Sequence, residues 1–185
     1  ASSANVYGNA ATGMLDESTP YNPANDYAVS KAAMEMMARL WQDRLPLVIV
    51  RPFNYTGVGQ SPDFLVPKIV DHFAREADVI ELGNLQVWRD FSDVRDLVHA
   101  YRLLAEKCPA GETVNICSGC THSLQEVLDM AQAFSGHALE VRVNPAFVRA
   151  NEVQILYGDP GKLARLLGGW QPRAFTETVG WMLSQ

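Results

Sequence analysis

Tyr27 and Lys31 stand four residues apart in the run Tyr27-Ala28-Val29-Ser30-Lys31, so on a helix both side chains leave one face, one turn apart. A phenol and an ammonium group sharing one small site suit proton exchange with a carbonyl oxygen or an alkoxide. A free phenol titrates near pH 10, too high for efficient exchange at neutral pH. An ammonium a few ångströms away favours the phenolate, and a drop of about three pKa units corresponds to roughly 4 kcal/mol of preferential stabilisation. Any amphipathic helix that carries Tyr and Lys can show this spacing, so alone it has low specificity.

Two more segments narrow the reading. Ala1-Ser2-Ser3-Ala4-Asn5-Val6-Tyr7-Gly8 reads as the end of a strand of small residues running into a turn, which sets small hydroxyls at the mouth of a sheet. Arg51-Pro52-Phe53-Asn54 closes a second strand, where the same crevice opens.

The elements that must position these residues alternate between helix and strand, an α/β pattern. Over 27–44, Val29, Ala33, Met36, Met37 and Leu40 recur at helical spacing and predict a buried face, with Lys31, Glu35 and Arg39 on a wet one. Beyond Pro46, Leu47-Val48-Ile49-Val50 has no alternation, as expected of a strand covered on both faces of a parallel sheet. Residues 54–62 read as a loop from their Gly, Asn and Pro content, at the carboxyl end of a strand where α/β folds hold ligands. Helices are predicted over 63–77, 94–106 and 124–135, the last opened by the capping box Ser123-Leu124-Gln125-Glu126. Strands are predicted around Gly83-Asn84, over 113–116 and through Leu139, Val141 and Val143; a short helix starts at Asp159-Pro160 and stops at Gly168-Gly169, and Thr176 opens the last.

Composition sets the boundaries. The 185 residues are 48% hydrophobic and 19% charged, the proportions of a globular protein. A net charge of −6 works against a polyanion, so no nucleic-acid partner is expected, and no apolar run approaches the length of a membrane span. Cys108, Cys117 and Cys120 are too few for a disulfide framework and fit a reducing, cytoplasmic setting. The chain opens at Ala1, within what reads as a strand end, and sequence is expected to precede it.

In S-S-x-x-V-Y-G, Y-x-x-x-K, R-P-x-N and the later run from Arg89 to Asp96, the sequence resembles the extended short-chain dehydrogenase/reductase superfamily. The resemblance covers the entire chain. It implies that Ser3 orients a substrate carbonyl, that Tyr27 is the proton donor or acceptor, and that Lys31 tunes Tyr27 and binds the nicotinamide ribose. Pro52 then lies beside the nicotinamide and Asn54 beside the substrate diphosphate. The superfamily's glycine-rich cradle for the dinucleotide pyrophosphate occurs nowhere in these residues. The implied architecture is the C-terminal part of a Rossmann-like doubly wound parallel sheet, residues 1–60 and 94–120, plus a smaller α/β substrate-binding domain, residues 61–93 and 121–185.

Within the superfamily, the segments from Phe64 to Ile69, Leu82 to Leu85 and Val148 to Val153 resemble the branch of GDP-mannose 4,6-dehydratases and GDP-4-keto-6-deoxymannose reductases. The resemblance places Lys68 and Asn84 near guanine, Arg89 and Arg149 on the diphosphate and Glu152 on the ribose hydroxyls. Two guanidiniums suit a diphosphate, and a carboxylate accepts from adjacent hydroxyls. Both arginines would equally serve as salt-bridge residues. Dehydratases carry an acid directly after the hydroxyl residue or one beyond it, where this chain has Ala4 and Asn5, neither of which is a general base. The implied reaction is therefore NADPH-dependent reduction of GDP-4-keto-6-deoxy-D-mannose to GDP-D-rhamnose, with NAD an alternative cofactor and a homodimer the expected assembly. A sugar-nucleotide 4-epimerase or a non-catalytic GDP-sugar-binding fragment is the alternative.

Cys117-Ser118-Gly119-Cys120 is a single C-x-x-C pair and reads as a strand end and turn with two buried thiols. His72, His99, His122 and His137 lack metal-ligand spacing, so no metal site is expected, and the four tryptophans read as packing residues.

Overall fold

The computed structural model describes residues 1–8, 13–148 and 153–185. In chain order its elements are a 3-10 turn (Ala4–Tyr7), β1 (Gly13–Leu15), α1 (Asp26–Arg39), β2 (Ile49–Pro52), β3 (Asn54–Thr56), α2 (Leu65–Ala74), β4 (Val79–Leu82), β5 (Trp88–Asp93) and α3 (Val94–Lys107). There follow β6 (Thr113–Ile116), β7 (Thr121–Ser123), α4 (Leu124–Ser135), β8 (Glu140–Val143), a 3-10 turn (Pro145–Phe147), β9 (Ile155–Gly158), α5 (Gly161–Leu167) and α6 (Phe175–Leu183).

Parallel pairing dominates, as an alternation of strands with helical crossovers requires. One sheet runs β1-β9-β5-β3, all parallel, with β7 antiparallel to β5; β2 pairs with β6 and β4 with β8, both parallel. The second half of the unalternating apolar run, Ile49 and Val50, enters β2, which continues through Arg51 and Pro52 and is buried at every residue, while Leu47 and Val48 precede the strand half-buried. The capping box forms as read, Ser123 Oγ accepting the Glu126 amide while the Glu126 carboxylate accepts the Ser123 amide. Gly168 ends α5 in the left-handed conformation, with φ of 72°.

The apolar interior falls into three groups. Val66, Ile69 and Phe73 of α2 meet Ile80, Leu82, Phe91, Val127 and Val179. Val50, Leu97, Leu104, Val114 and Leu163 pack around β2 and β6. Val6, Tyr7, Leu15, Ala32, Phe53 and Cys117 form the third group beneath the first turn.

The structure corrects the reading of α1. Val29, Met36, Met37 and Leu40 are exposed, Leu40 by 82%, while Ala28, Ala32 and Glu35 are buried. Two alanines let the helix backbone approach the Ala4–Tyr7 turn closely, and a buried carboxylate is held by a partner on β2. The helix also stops at Arg39, and Asn54–Thr56, read as loop, adds to the sheet as β3. Of the paired cysteines Cys117 is buried, but Cys120 is exposed.

Candidate active site

Ser3 is the cap of the first turn, its hydroxyl accepting the Asn5 amide at 3.2 Å. The Ser2 amide bonds the Val50 carbonyl at 2.8 Å, which fastens this segment to β2. Asn25 caps α1 by accepting the Ala28 amide at 2.9 Å, so Tyr27 lies in the first turn of the helix. One turn on, Lys31 Nζ donates to the Ala1 carbonyl oxygen at 3.2 Å and stands 5.6 Å from the centre of the Tyr27 ring. That bond ties α1 at Lys31 to the extended segment that leads into the Ser3-capped turn; the sequence reading of a strand end there is replaced by this segment and a 3-10 turn. Tyr27 is half exposed, so its hydroxyl can meet a ligand. Pro52 ends β2 opposite Ile116.

A second group lies on β3 and β5. Asn54 Nδ2 donates to the Asp90 carbonyl at 3.0 Å, and Arg89, the next residue along β5, donates to the Trp88 and Gln154 carbonyls at 2.9 and 3.3 Å. The third group surrounds β4: Lys68 Nζ donates to the Glu81 carbonyl at 2.7 Å and sits 4.9 Å from the centre of the Phe147 ring, while Asn84 accepts the Gln86 amide at 3.0 Å. Phe91 on β5 shares a core with Val66, Ile69 and Leu82, which couples the last two groups through packing. Arg149 and Glu152 lie outside the described residues.

Asp90, which the sequence reading passed over, organises the floor between these groups. It is fully buried, and its carboxylate accepts the Ser118 amide and hydroxyl at 2.9 and 2.7 Å, the Gly119 amide at 2.9 Å and the Gly158 amide at 3.4 Å. Burial pushes its carboxyl above the usual range, and the bonds from Ser118 and Gly119 oppose that shift. Burial likewise raises the Cys117 thiol, with the Asp90 charge adding to the effect, so this sulfur is an inert packing atom. Among the described residues no group of His, Cys, Asp or Glu is arranged to hold a metal ion, and no helix is long and apolar enough to cross a membrane.

The residues present fit the nicotinamide-ribose end of a dinucleotide. An ammonium has three donors, one of which Lys31 spends on Ala1, and the half-exposed phenol of Tyr27 lies beside it.

Fold and site together define a chain of the extended short-chain dehydrogenase/reductase type. It belongs to the family described as GDP-mannose 4,6 dehydratase, whose model matches residues 1–182. The chain is similar to a GDP-6-deoxy-D-talose 4-dehydrogenase of Aggregatibacter actinomycetemcomitans, 38% identical over 90% of this chain and 57% of that protein. It is also similar to a GDP-6-deoxy-D-mannose reductase of Pseudomonas aeruginosa, 33% identical over 92% of this chain and 59% of that one. Among solved structures, a Burkholderia cenocepacia protein provisionally described as an epimerase superposes with a TM-score of 0.97 at 56% identity, over 99% of this chain and 60% of that one. RMD from Pseudomonas aeruginosa, solved with NADPH, superposes at 0.90 with 30% identity, over 99% of this chain and 64% of that one. The chain thus spans less than three fifths of the curated relatives' length.

Proposed function

We propose that the protein carrying this chain reduces the 4-keto group of GDP-4-keto-6-deoxy-D-mannose to give GDP-D-rhamnose, with NADPH preferred and NAD possible. The observation that supports the reading is the Lys31 to Ala1 bond, which ties the helix carrying Tyr27 and Lys31 to the segment that leads into the Ser3 turn. Two relatives whose names place a redox step on GDP-6-deoxy sugars support the substrate class. Ala4 and Asn5 follow Ser3, so the acid needed to eliminate water is absent from that turn.

Bound NADPH would supply the hydride that C4 gains. Ser3 then donates a hydrogen bond to the C4 oxygen, and Tyr27 supplies the proton that this oxygen gains. Lys31 holds Tyr27 in place and takes the ribose hydroxyls. Pro52 lies beside the nicotinamide, Asn54, Arg89 and Arg149 take the diphosphate, Glu152 the second ribose, and Lys68 and Asn84 the guanine. Binding the remote nucleotide positions C4 for the transfer. We assign the substrate domain to residues 61–93 and 121–185; its β5 and β9 pair with β3 and β1 of the remaining part, and Leu163 of α5 packs with Leu97 and Val114 there.

The exposed apolar strip of α1 is the surface proposed for a homodimer, and three free cysteines fit a cytoplasmic setting. The experiment is NADPH oxidation followed with GDP-4-keto-6-deoxymannose and the full gene product; no oxidation overturns the reading. A 4-epimerase is the second reading, favoured by the description of the Burkholderia cenocepacia structure. Tightly retained NAD together with interconversion of GDP-sugar epimers would establish it instead.

A further inference from the structure

Beneath the proposed chemistry lies a carboxylate and guanidinium pair that the reaction itself does not use. Glu35 stands one turn beyond Lys31 and two beyond Tyr27, on the same strip of α1. Arg51 lies on β2 immediately before Pro52, and the two side chains are 0% and 3% exposed. Arg51 Nε and Nη2 grip the two carboxylate oxygens at 2.8 and 2.7 Å. The remaining donors go to the Tyr7 hydroxyl at 3.0 Å, the Tyr21 hydroxyl at 3.0 Å and the Glu17 carbonyl at 3.5 Å. All five guanidinium N–H groups therefore have an acceptor. The acceptors are themselves fixed: Tyr7 donates to Asn115 Oδ1 at 2.7 Å, Tyr21 donates to Glu35 Oε2 at 2.7 Å, and Asn115 Nδ2 donates to the Leu15 carbonyl at 3.1 Å.

Stability alone is a poor account of this arrangement. Taking two charges out of water costs about what their attraction returns, and a well-packed apolar pair of similar volume is commonly as stable. An apolar pair has no preferred direction, whereas a two-pronged guanidinium grip fixes distance and angle. The grip joins α1 to β2, to the turn that Ser3 opens and to the segment before α1. Lys31 is one helical turn away and binds Ala1. We propose that the Glu35 and Arg51 pair is a positioning device, setting the height and rotation of α1 so that Tyr27 and Lys31 face the turn bearing Ser3. This inference rests on the function proposed above.

The test compares three variants of the full gene product. Glu35→Gln and Arg51→Lys keep volume but weaken the grip; the double variant Glu35→Leu with Arg51→Met removes both charges. Displacements near 1 Å cost reaction geometry heavily, so both single variants are expected to lose about tenfold or more in kcat, with KM for the sugar nucleotide within about threefold. The double variant is expected to regain the thermal midpoint that the single variants lose, but not kcat. Recovery of kcat together with the midpoint, or single variants within about twofold of native kcat, would overturn the proposal. If the native protein itself oxidises no NADPH, the functional reading is what fails. The crystal structure of the double variant then decides: a Tyr27 hydroxyl moved by roughly 1 Å or more relative to Ser3 supports positioning, and an unmoved one overturns it.

Discussion

The carboxylate of Asp90 accepts the backbone amide of Gly119 at 2.9 Å, and through that bond a buried strand holds a surface turn. Removing the carboxylate leaves the amides of Ser118 and Gly119 and the Ser118 hydroxyl without this acceptor. Asp90→Ala is expected to cost about 3 kcal/mol in urea unfolding. Gly119→Ala strikes the same turn differently: φ is +75°, and a Cβ would stand 2.8 Å from the Pro160 ring. It is expected to cost at least about 1 kcal/mol.

Tyr27→Phe removes only an oxygen from a half-exposed ring. NADPH oxidation with the GDP-keto sugar is expected to fall by roughly 100-fold or more in kcat, with the unfolding midpoint unchanged. Equal turnover in the variant would remove Tyr27 from the reaction.

Met37 and Leu40 lie on the exposed strip of α1, 66% and 82% accessible. The proposed dimer predicts that the native protein sediments as a dimer and that Met37→Glu with Leu40→Lys sediments as a monomer, with little change in the urea midpoint of the monomer. A dimer that survives both changes is held together elsewhere.

His122 stacks on Phe175 with ring centres 5.2 Å apart. Burial lowers its pKa, against the opposing pull of Glu126 and Asp90. The unfolded chain therefore takes up this proton first, and stability is lost as pH falls through about 6.5 toward the folded value. Thermal unfolding between pH 8 and pH 5 is expected to show a shallower acid-side loss in His122→Phe. An unchanged slope would show that His122 adds nothing to it.

The sequence carried the elements with local signatures most clearly. The Ser123 and Glu126 capping box, the left-handed stop at Gly168 and the buried run before Pro52 are each set by neighbours within a few residues. Hydrophobic period misassigned α1, because the face that packs closest carries alanines and one carboxylate, while the larger apolar side chains stay outside. The burial of Glu35 depends on Arg51, sixteen residues on and in another element, and only the joint presence of Glu one turn after Lys31 and Arg before Pro52 hinted at it. β1, β3 and β9 are three or four residues long, and their pairing partners are distant, so they left no local trace. The motifs singled out Ser3, Tyr27 and Lys31 as candidates; Asp90 escaped because an acid inside a strand has no signature until the turn it binds is seen.

Gly13 pairs with Leu156 and Leu15 with Gly158, so strands from opposite ends of these residues lie side by side in the sheet. During synthesis β1 leaves the ribosome long before β9 exists, and its pairing edge stays open meanwhile. The β2 and β6 pair can close much earlier, once residue 116 has emerged. Assembly thus has a built-in order: the β2 and β6 ladder can close first, while the β1 seam waits for β9 and the apolar interior waits further, for Leu163 and Val179. A nascent chain stalled before residue 155 would expose the β1 edge to chaperones or to neighbouring chains.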